Sequence, residues 1–285
     1  MLKHSYQFEA FGTQWAIETD DEIQPTLKDP VQNKIEAFDE VYSRFRNNSL
    51  VSQVAQKAGE YSFPSNAIKL FNFYKSLYDI TGGKVTPLIG DMISRAGYDA
   101  TYSLKAQPQK PIPTWDEVLH WDSSLLVTSQ PVMLDIGAAG KGYMVDILAT
   151  ILDEHLITDY VIDASGDLRH KGTNENKVGL EHPFEPGKVI GVVDVLNRSL
   201  CASASNRRAW ADGMHHIFDP DKMAPTQDIV ATWVIADEAM VADGLATALF
   251  FVDATKLNET YNFEYARMFA DGSVEYSSYF KGKLF

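Results

Sequence analysis

Leu134-Asp-Ile-Gly-Ala-Ala-Gly-Lys-Gly-Tyr-Met-Val-Asp146 is the stretch from which the organisation of the chain reads outward. The apolar run Val132 to Ile136 predicts a strand, and Gly137 to Gly142 predicts a loop. Behind the loop, Val145, Leu148, Leu152 and Leu156 recur at steps of three and four and predict a helix. Downstream, Tyr160 to Asp163 predicts the next strand, with a turn at Ser165-Gly166-Asp167. Lys177 to Glu181, Val189 to Val195 and Ile229 to Ala236 predict further strands. Asp237 is the expected cap of a helix running to about Phe251, and a hairpin around Asp271-Gly272 closes the chain between Tyr265–Ala270 and Val274–Phe280. Upstream, Tyr6 to Phe11 and Gln14 to Thr19 predict a hairpin around Gly12-Thr13. Asp29-Pro30 predicts a helix start, with Val31, Ile35, Phe38, Tyr42 and Phe45 on its buried face. A second helix follows Ser65 with Ile68, Phe71, Tyr74 and Tyr78 inside, ended by Gly82-Gly83. The proline-bearing stretch Ser103 to Pro113 predicts a surface connection. Strands and helices mix without regular βαβ alternation, so the expected class is α+β.

The 285 residues are 45% hydrophobic, 12% aromatic and 22% charged, an ordinary globular composition. With 25 basic and 39 acidic side chains the formal net charge is −14 at pH 7. That sign disfavours nucleic acid and anionic membranes as partners. The single cysteine, Cys201, excludes an internal disulfide and a multi-thiolate zinc site, and predicts a packing residue. The first fifteen residues carry charge where a signal peptide needs an apolar core, and no apolar run nears the ~20 residues of a membrane span. The expectation is a soluble, cytoplasmic protein with no membrane anchor of its own.

Three groups of residues bear chemistry. In Asp135 to Gly142, the free N–H groups opening a helix can meet a phosphate; equally, a strand-to-helix turn needs such glycines for its backbone. The spacing fits neither a Walker loop nor G-x-G-x-x-G. Asp243 and Thr247 stand one helical turn apart in an otherwise apolar segment. They offer two oxygens to a hard cation, or are a solvated carboxylate and a hydroxyl bonded back to the Asp243 carbonyl. In Asp212 to Pro220, His215 and His216 point to opposite faces of a strand. One of them can serve as a base or charge partner, or both can belong to a half-buried edge, and His215 is expected to tolerate substitution. Arg207 and Arg208 suit phosphate or nearby surface acids.

The segments FGTQW (11–15), SRFRNNSLVSQV (43–54), TGGKVTPL (81–88), LDIGAAGKGYMVD (134–146), IDASGD (162–167), HHIFDP (215–220) and VADGLATAL (241–249) stand in the order of the motifs of the FAD:protein FMN transferases. From Phe11 to Phe251 the chain resembles these ApbE-like flavin transferases. The resemblance implies one flavin-transferase-like α+β domain over residues 1–285, with FAD as substrate and Mg²⁺ as cofactor. The FMN half would pass to a Thr or Ser hydroxyl of an acceptor flavoprotein, releasing AMP. It further implies that the Ala138 carbonyl, Asp243 and Thr247 hold Mg²⁺, and that Phe11 and Phe45 line the flavin cleft. Lys84, Val85 and Thr86 would contact FAD, Asp135 would hydrogen-bond it, Lys141 would lie near its phosphates, and His216 would assist the acceptor hydroxyl.

The chain departs from the family pattern at three places. Val85-Thr86-Pro87 lacks the aspartate many members carry, Ser165 replaces the first glycine of a G-G-D turn, and Met223 stands near Pro220 where a glycine is usual. The alternatives to transfer are FAD hydrolysis to FMN and AMP, and FAD binding without catalysis.

Overall fold

The computed structural model describes residues 2–210 and 213–285; Asp212, the first residue of the candidate histidine segment, lies outside them. The chain forms two compact units, Met1–Ile35 with Ala139–Asn206 and Gln227–Phe285, and Glu36–Ala138 with Arg207–Thr226. The helix Pro25–Tyr42 runs through the boundary of both. Mixed strands and helices make the fold α+β, as expected from the sequence.

The first unit is built on an eight-stranded sheet in which sequential strands are spatial neighbours, each pair antiparallel. It opens with the hairpin His4–Ala10 and Thr13–Thr19, paired from Ala10 with Thr13. The turn is therefore Phe11-Gly12, one residue earlier than the sequence suggested. Phe11 (φ 51°) and Gly12 (φ 70°) are both left-handed, which is what a two-residue turn matching strand twist demands. Val189–Val195 and Ile229–Ala236 begin and end as predicted. All eight residues of Ile229–Ala236 are buried because both faces are covered. Trp233 and Ile235 join Leu180 and Val193, from a second sheet of Asn176–Glu181, Val189–Val195 and Lys283–Leu284, in one apolar cluster, whereas Thr232 Oγ1 donates to the Ala246 carbonyl of a helix at 2.7 Å.

Two helices of this unit carry candidate residues. In Gly140–Glu154, Val145, Leu148 and Leu152 are buried as expected, but Leu156 is 86% exposed. Leu156 takes a left-handed φ of 60° just past the helix, and Ile157 N–H returns to the Leu152 carbonyl at 3.0 Å, so it closes the helix rather than extending its apolar face. The helix Ala239–Ala248 stops short of Phe251 and is not capped by Asp237. Its first two N–H groups, at Ala239 and Met240, instead donate to the carboxylate of Asp146, each at 2.9 Å. A carboxylate from a neighbouring helix neutralises the orphan donors that the local sequence leaves open.

In the second unit the helix Ala67–Thr81 ends at Gly82 (φ 62°), as predicted. Leu70, Phe71, Tyr74 and Leu77 form its buried stripe, while Ile68 lies at the surface. A helix Leu50–Gln56 and the antiparallel sheet of Gly59–Ser62, Leu125–Thr128 and Leu119–Asp122 are additions to the sequence reading. The apolar run Val132 to Ile136 is largely buried but joins no sheet. Its bonds are isolated ones, Val132 N–H to Val54 and Asp135 N–H to Pro87 at 2.7 Å. The long helix starts at Pro25, so Asp29-Pro30 lies inside it. Ile23 and Leu27, both buried, extend the apolar face of Val31 back past that pair. Phe45 falls beyond its end. Ser103 to Pro113 carries no regular element.

Candidate active site

In the sheet unit, the N-terminus of Gly140–Glu154 meets the middle of Ala239–Ala248. Gly142 N–H is one of the first-turn donors without a partner in its own helix, and it donates to Asp243 Oδ2 at 2.9 Å. The approach is close: a Cβ on Gly142 would lie 2.2 Å from the Ala239 carbonyl oxygen and 2.8 Å from Asp243 Cβ. Asp243 is 3% exposed, which removes the reading as a solvated carboxylate. Thr247, one turn further on, is half-buried. Among the described residues no group of three or more His, Cys, Asp or Glu side chains could hold a metal ion. A carboxylate and a hydroxyl side by side, without sulfur or imidazole, suit a hard cation that keeps part of its water.

Lys141 Nζ pairs with Asp167, whose side chain is fully buried and whose Oδ1 has no hydrogen-bond partner among the described residues. Asp167 follows the turn Ser165-Gly166. Ser165, at φ 56°, occupies a left-handed position, and its Oγ donates to the Gln14 carbonyl at 2.7 Å. Phe11 is half-buried with its ring edge-on to Trp15 at 5.7 Å. Cys201 is buried, with Sγ 3.4 Å from the Ala239 carbonyl; burial and then the Asp167 and Asp243 carboxylates push its thiol well up, so it packs rather than reacts.

In the second unit, Asp135 is fixed at both oxygens: Oδ2 pairs with Arg44 Nε at 2.5 Å and Oδ1 accepts from Gly137 N–H at 2.7 Å. Burial works to raise its pKa, but the Arg44 charge and these bonds outweigh it and hold the carboxyl below its ordinary value. The Arg44 guanidinium lies 4.2 Å above the Phe45 ring, and Phe45 stacks on Tyr102 with centroids 5.5 Å apart. Arg208 stands over Tyr98 at 5.7 Å. Ala138 N–H donates to the Tyr74 hydroxyl at 3.1 Å.

Lys84 Nζ reaches Asp219 at 2.5 Å and Asp221 at 2.7 Å. Burial lowers its pKa, yet the two carboxylates overcome this and leave it raised. Val85 is buried in the core with its N–H on Thr81 Oγ1, and Thr86 Oγ1 accepts from Leu88 N–H, so any ligand contact from Val85 is through the main chain. The strand Met214–His215 ends before His216. His215 is buried: Nδ1 accepts from Ile217 N–H at 3.3 Å and Nε2 faces the Thr226 carbonyl at 2.8 Å, the neutral Nε2–H tautomer. It holds its own loop together, and burial pushes its pKa down. His216 is half-buried. Local sequence does not mark Arg44, Asp146, Asp167 and Asp219; each is a charged residue within or beside a family motif, paired to a partner far along the chain.

The ApbE family matches residues 11–269, and the protein belongs to that family. The chain is 27% identical over 270 residues to the FAD:protein FMN transferase of Haemophilus influenzae, covering 85% of this chain and 74% of that one. It is 22% identical over 260 residues to the FAD:protein FMN transferase of Escherichia coli K12, covering 82% and 73%. Among solved structures, flavin transferase ApbE from Vibrio cholerae superposes with a TM-score of 0.81 at 21% identity over 98% of both chains. The ApbE protein of Thermotoga maritima gives 0.85 at 21% identity, covering 96% and 97%. The fold is theirs.

Proposed function

We propose that this protein is a FAD:protein FMN transferase, using residues 1–285 as one catalytic domain. The observation that carries the reading is Asp243: buried on an apolar helix, one turn before Thr247, and tied to the first turn of the helix that bears Lys141. A buried carboxylate and a half-buried hydroxyl one turn on, with a helix N-terminus and a lysine nearby, suit a diphosphate and its counter-ion.

In this reading FAD contacts Phe11, Phe45 and the Lys84-Val85-Thr86 segment, and Asp135 accepts a hydrogen bond from it. Lys141, steadied by Asp167, faces the phosphates. The Ala138 carbonyl, Asp243 and Thr247 would hold Mg²⁺, which supplies charge neutralisation for the diphosphate and the departing AMP. His216 takes the proton of a Thr or Ser hydroxyl on an acceptor flavoprotein. That oxygen bonds to the FMN phosphorus, the bond from phosphorus to the bridging oxygen breaks, and AMP leaves with that oxygen. Net acidity (formal charge −14) fits work on proteins and a nucleotide cofactor rather than on nucleic acid. No helix among the described residues is long and apolar enough to cross a membrane; we place the activity in the cytoplasm.

Product analysis tests the proposal. With FAD, Mg²⁺ and a flavoprotein acceptor bearing a Thr/Ser target, we expect AMP and flavin that stays on the acceptor after denaturation. AMP with free FMN alone would make it a FAD diphosphatase, and intact FAD a binding protein.

A further inference from the structure

Arg44 is among the most enclosed cations of the second unit, with a side chain 4% exposed, against 16% for its partner Asp135. The guanidinium also lies 5.2 Å from the centroid of the Tyr98 ring, and it has three closer engagements. Nε meets Asp135 Oδ2 at 2.5 Å, Nη1 donates to the Tyr98 carbonyl at 2.9 Å, and the flat face covers the Phe45 ring at 4.2 Å. Nη2 is buried with no hydrogen-bond partner among the described residues. A buried ion pair with an unsatisfied donor adds little net stability, because desolvation of both charges offsets their attraction. What such a pair does supply is direction.

We propose that Arg44 is a positioning residue for FAD, fixing the Asp135 carboxylate and the Phe45 ring as one preorganised corner. This rests on the reading of Asp135 and Phe45 as FAD contacts. With Arg44 behind and Gly137 N–H beside it, the Asp135 carboxylate cannot rotate, and each oxygen keeps a lone pair for a further donor. An anionic acceptor repels phosphate, so the group it takes from the cofactor is an N–H or O–H, from the ring system or a sugar-type hydroxyl. Lysine cannot replace Arg44 here. A point charge on a flexible stem can neutralise Asp135, but cannot also hold the Tyr98 carbonyl and cover the Phe45 face.

The test is a double-mutant cycle on FAD affinity, read by quenching of flavin fluorescence, with Tm measured on every variant. Arg44→Lys keeps the charge and is expected to fold with a Tm near that of the wild type. It should weaken FAD binding about tenfold, the equivalent of ~1.4 kcal/mol. Its KM for FAD should rise while kcat at saturating FAD stays within about twofold. Arg44→Met, which strands the Asp135 charge, should weaken binding further. In an Asp135→Asn background Arg44→Lys should cost less than the tenfold it costs alone, because the part of its effect that runs through Asp135 is already lost and only the part through Phe45 remains. Wild-type affinity in Arg44→Lys, or independent multiplication of the two effects, overturns the inference while leaving the flavin-transferase reading intact. A wild-type protein that does not bind FAD overturns both.

Discussion

Asp146 and Asp243 cap each other's helices. Asp146, on Gly140–Glu154, accepts from Ala239 and Met240 N–H at 2.9 Å, and Asp243, on Ala239–Ala248, accepts from Gly142 N–H at 2.9 Å. Asp146 lies four residues beyond Gly142, and Asp243 four and three residues beyond Ala239 and Met240. The two N-termini are thereby crossed and locked, and the candidate metal carboxylate is set in register with the glycine-rich loop.

Removing one side of this lock has a defined cost. Asp146→Ala should lower stability by about 1–2 kcal/mol, the range for loss of an N-terminal cap, and Asp146→Asn by less. Urea unfolding measures both. Equal stability of Asp146→Ala and wild type would mean that the cap contributes nothing.

Gly142→Ala addresses the crossing point. Its Cβ would meet the Ala239 carbonyl oxygen at 2.2 Å, so the helices must separate. The expected loss is about 1–3 kcal/mol, as for other overpacked sites. Because Asp243 moves with its helix, transfer activity should fall by more than stability explains at 25 °C.

Two family departures carry different predictions. Met223 (φ 50°) and Ser165 (φ 56°) both hold left-handed positions, which favour glycine. Met223→Gly relieves the strain and should raise stability by up to about 1 kcal/mol. Ser165→Gly also deletes the bond to the Gln14 carbonyl, so it should be close to neutral. Thermal melts of the two variants separate these cases.

Acid sensitivity should include a histidine component. Burial, opposed only in part by the Thr226 carbonyl, holds the folded pKa of His215 below that of an ordinary histidine, and burial does the same at His170. The unfolded chain then binds more protons, so this contribution to stability is complete above the unfolded pKa and is lost as pH falls through the folded one. Stability should therefore decline on acidification below about pH 6.5. His215→Gln should flatten that slope; an unchanged slope would remove His215 from the account. His216→Ala, by contrast, should leave FAD affinity and Tm alone and slow transfer by about 10²–10⁴-fold.

Sequence periodicity located Val189–Val195 and Ile229–Ala236 to the residue because β-branched and apolar runs bounded by turns have few other uses. It misread Val132 to Ile136 as a strand, since an apolar run reports burial and not pairing. The capping of Ala239–Ala248 was hidden for another reason: Asp146 lies 93 residues before Ala239, and the helix start at Glu238 carries no side-chain cap of its own. Arg44 and Asp135, 91 residues apart, were hidden likewise. Motif order revealed the family, while the charged partners that hold the candidate residues are visible only in three dimensions.

The most direct test of Mg²⁺-dependent transfer at the Asp243 helix is a titration of initial AMP release against Mg²⁺ for wild type, Asp243→Asn and Thr247→Val. Asp243→Asn keeps the size of the side chain but removes its charge, so its curve should shift to much higher Mg²⁺ with partial rescue at the top, and Thr247→Val should shift less. An Asp243→Asn curve that coincides with wild type would contradict the account.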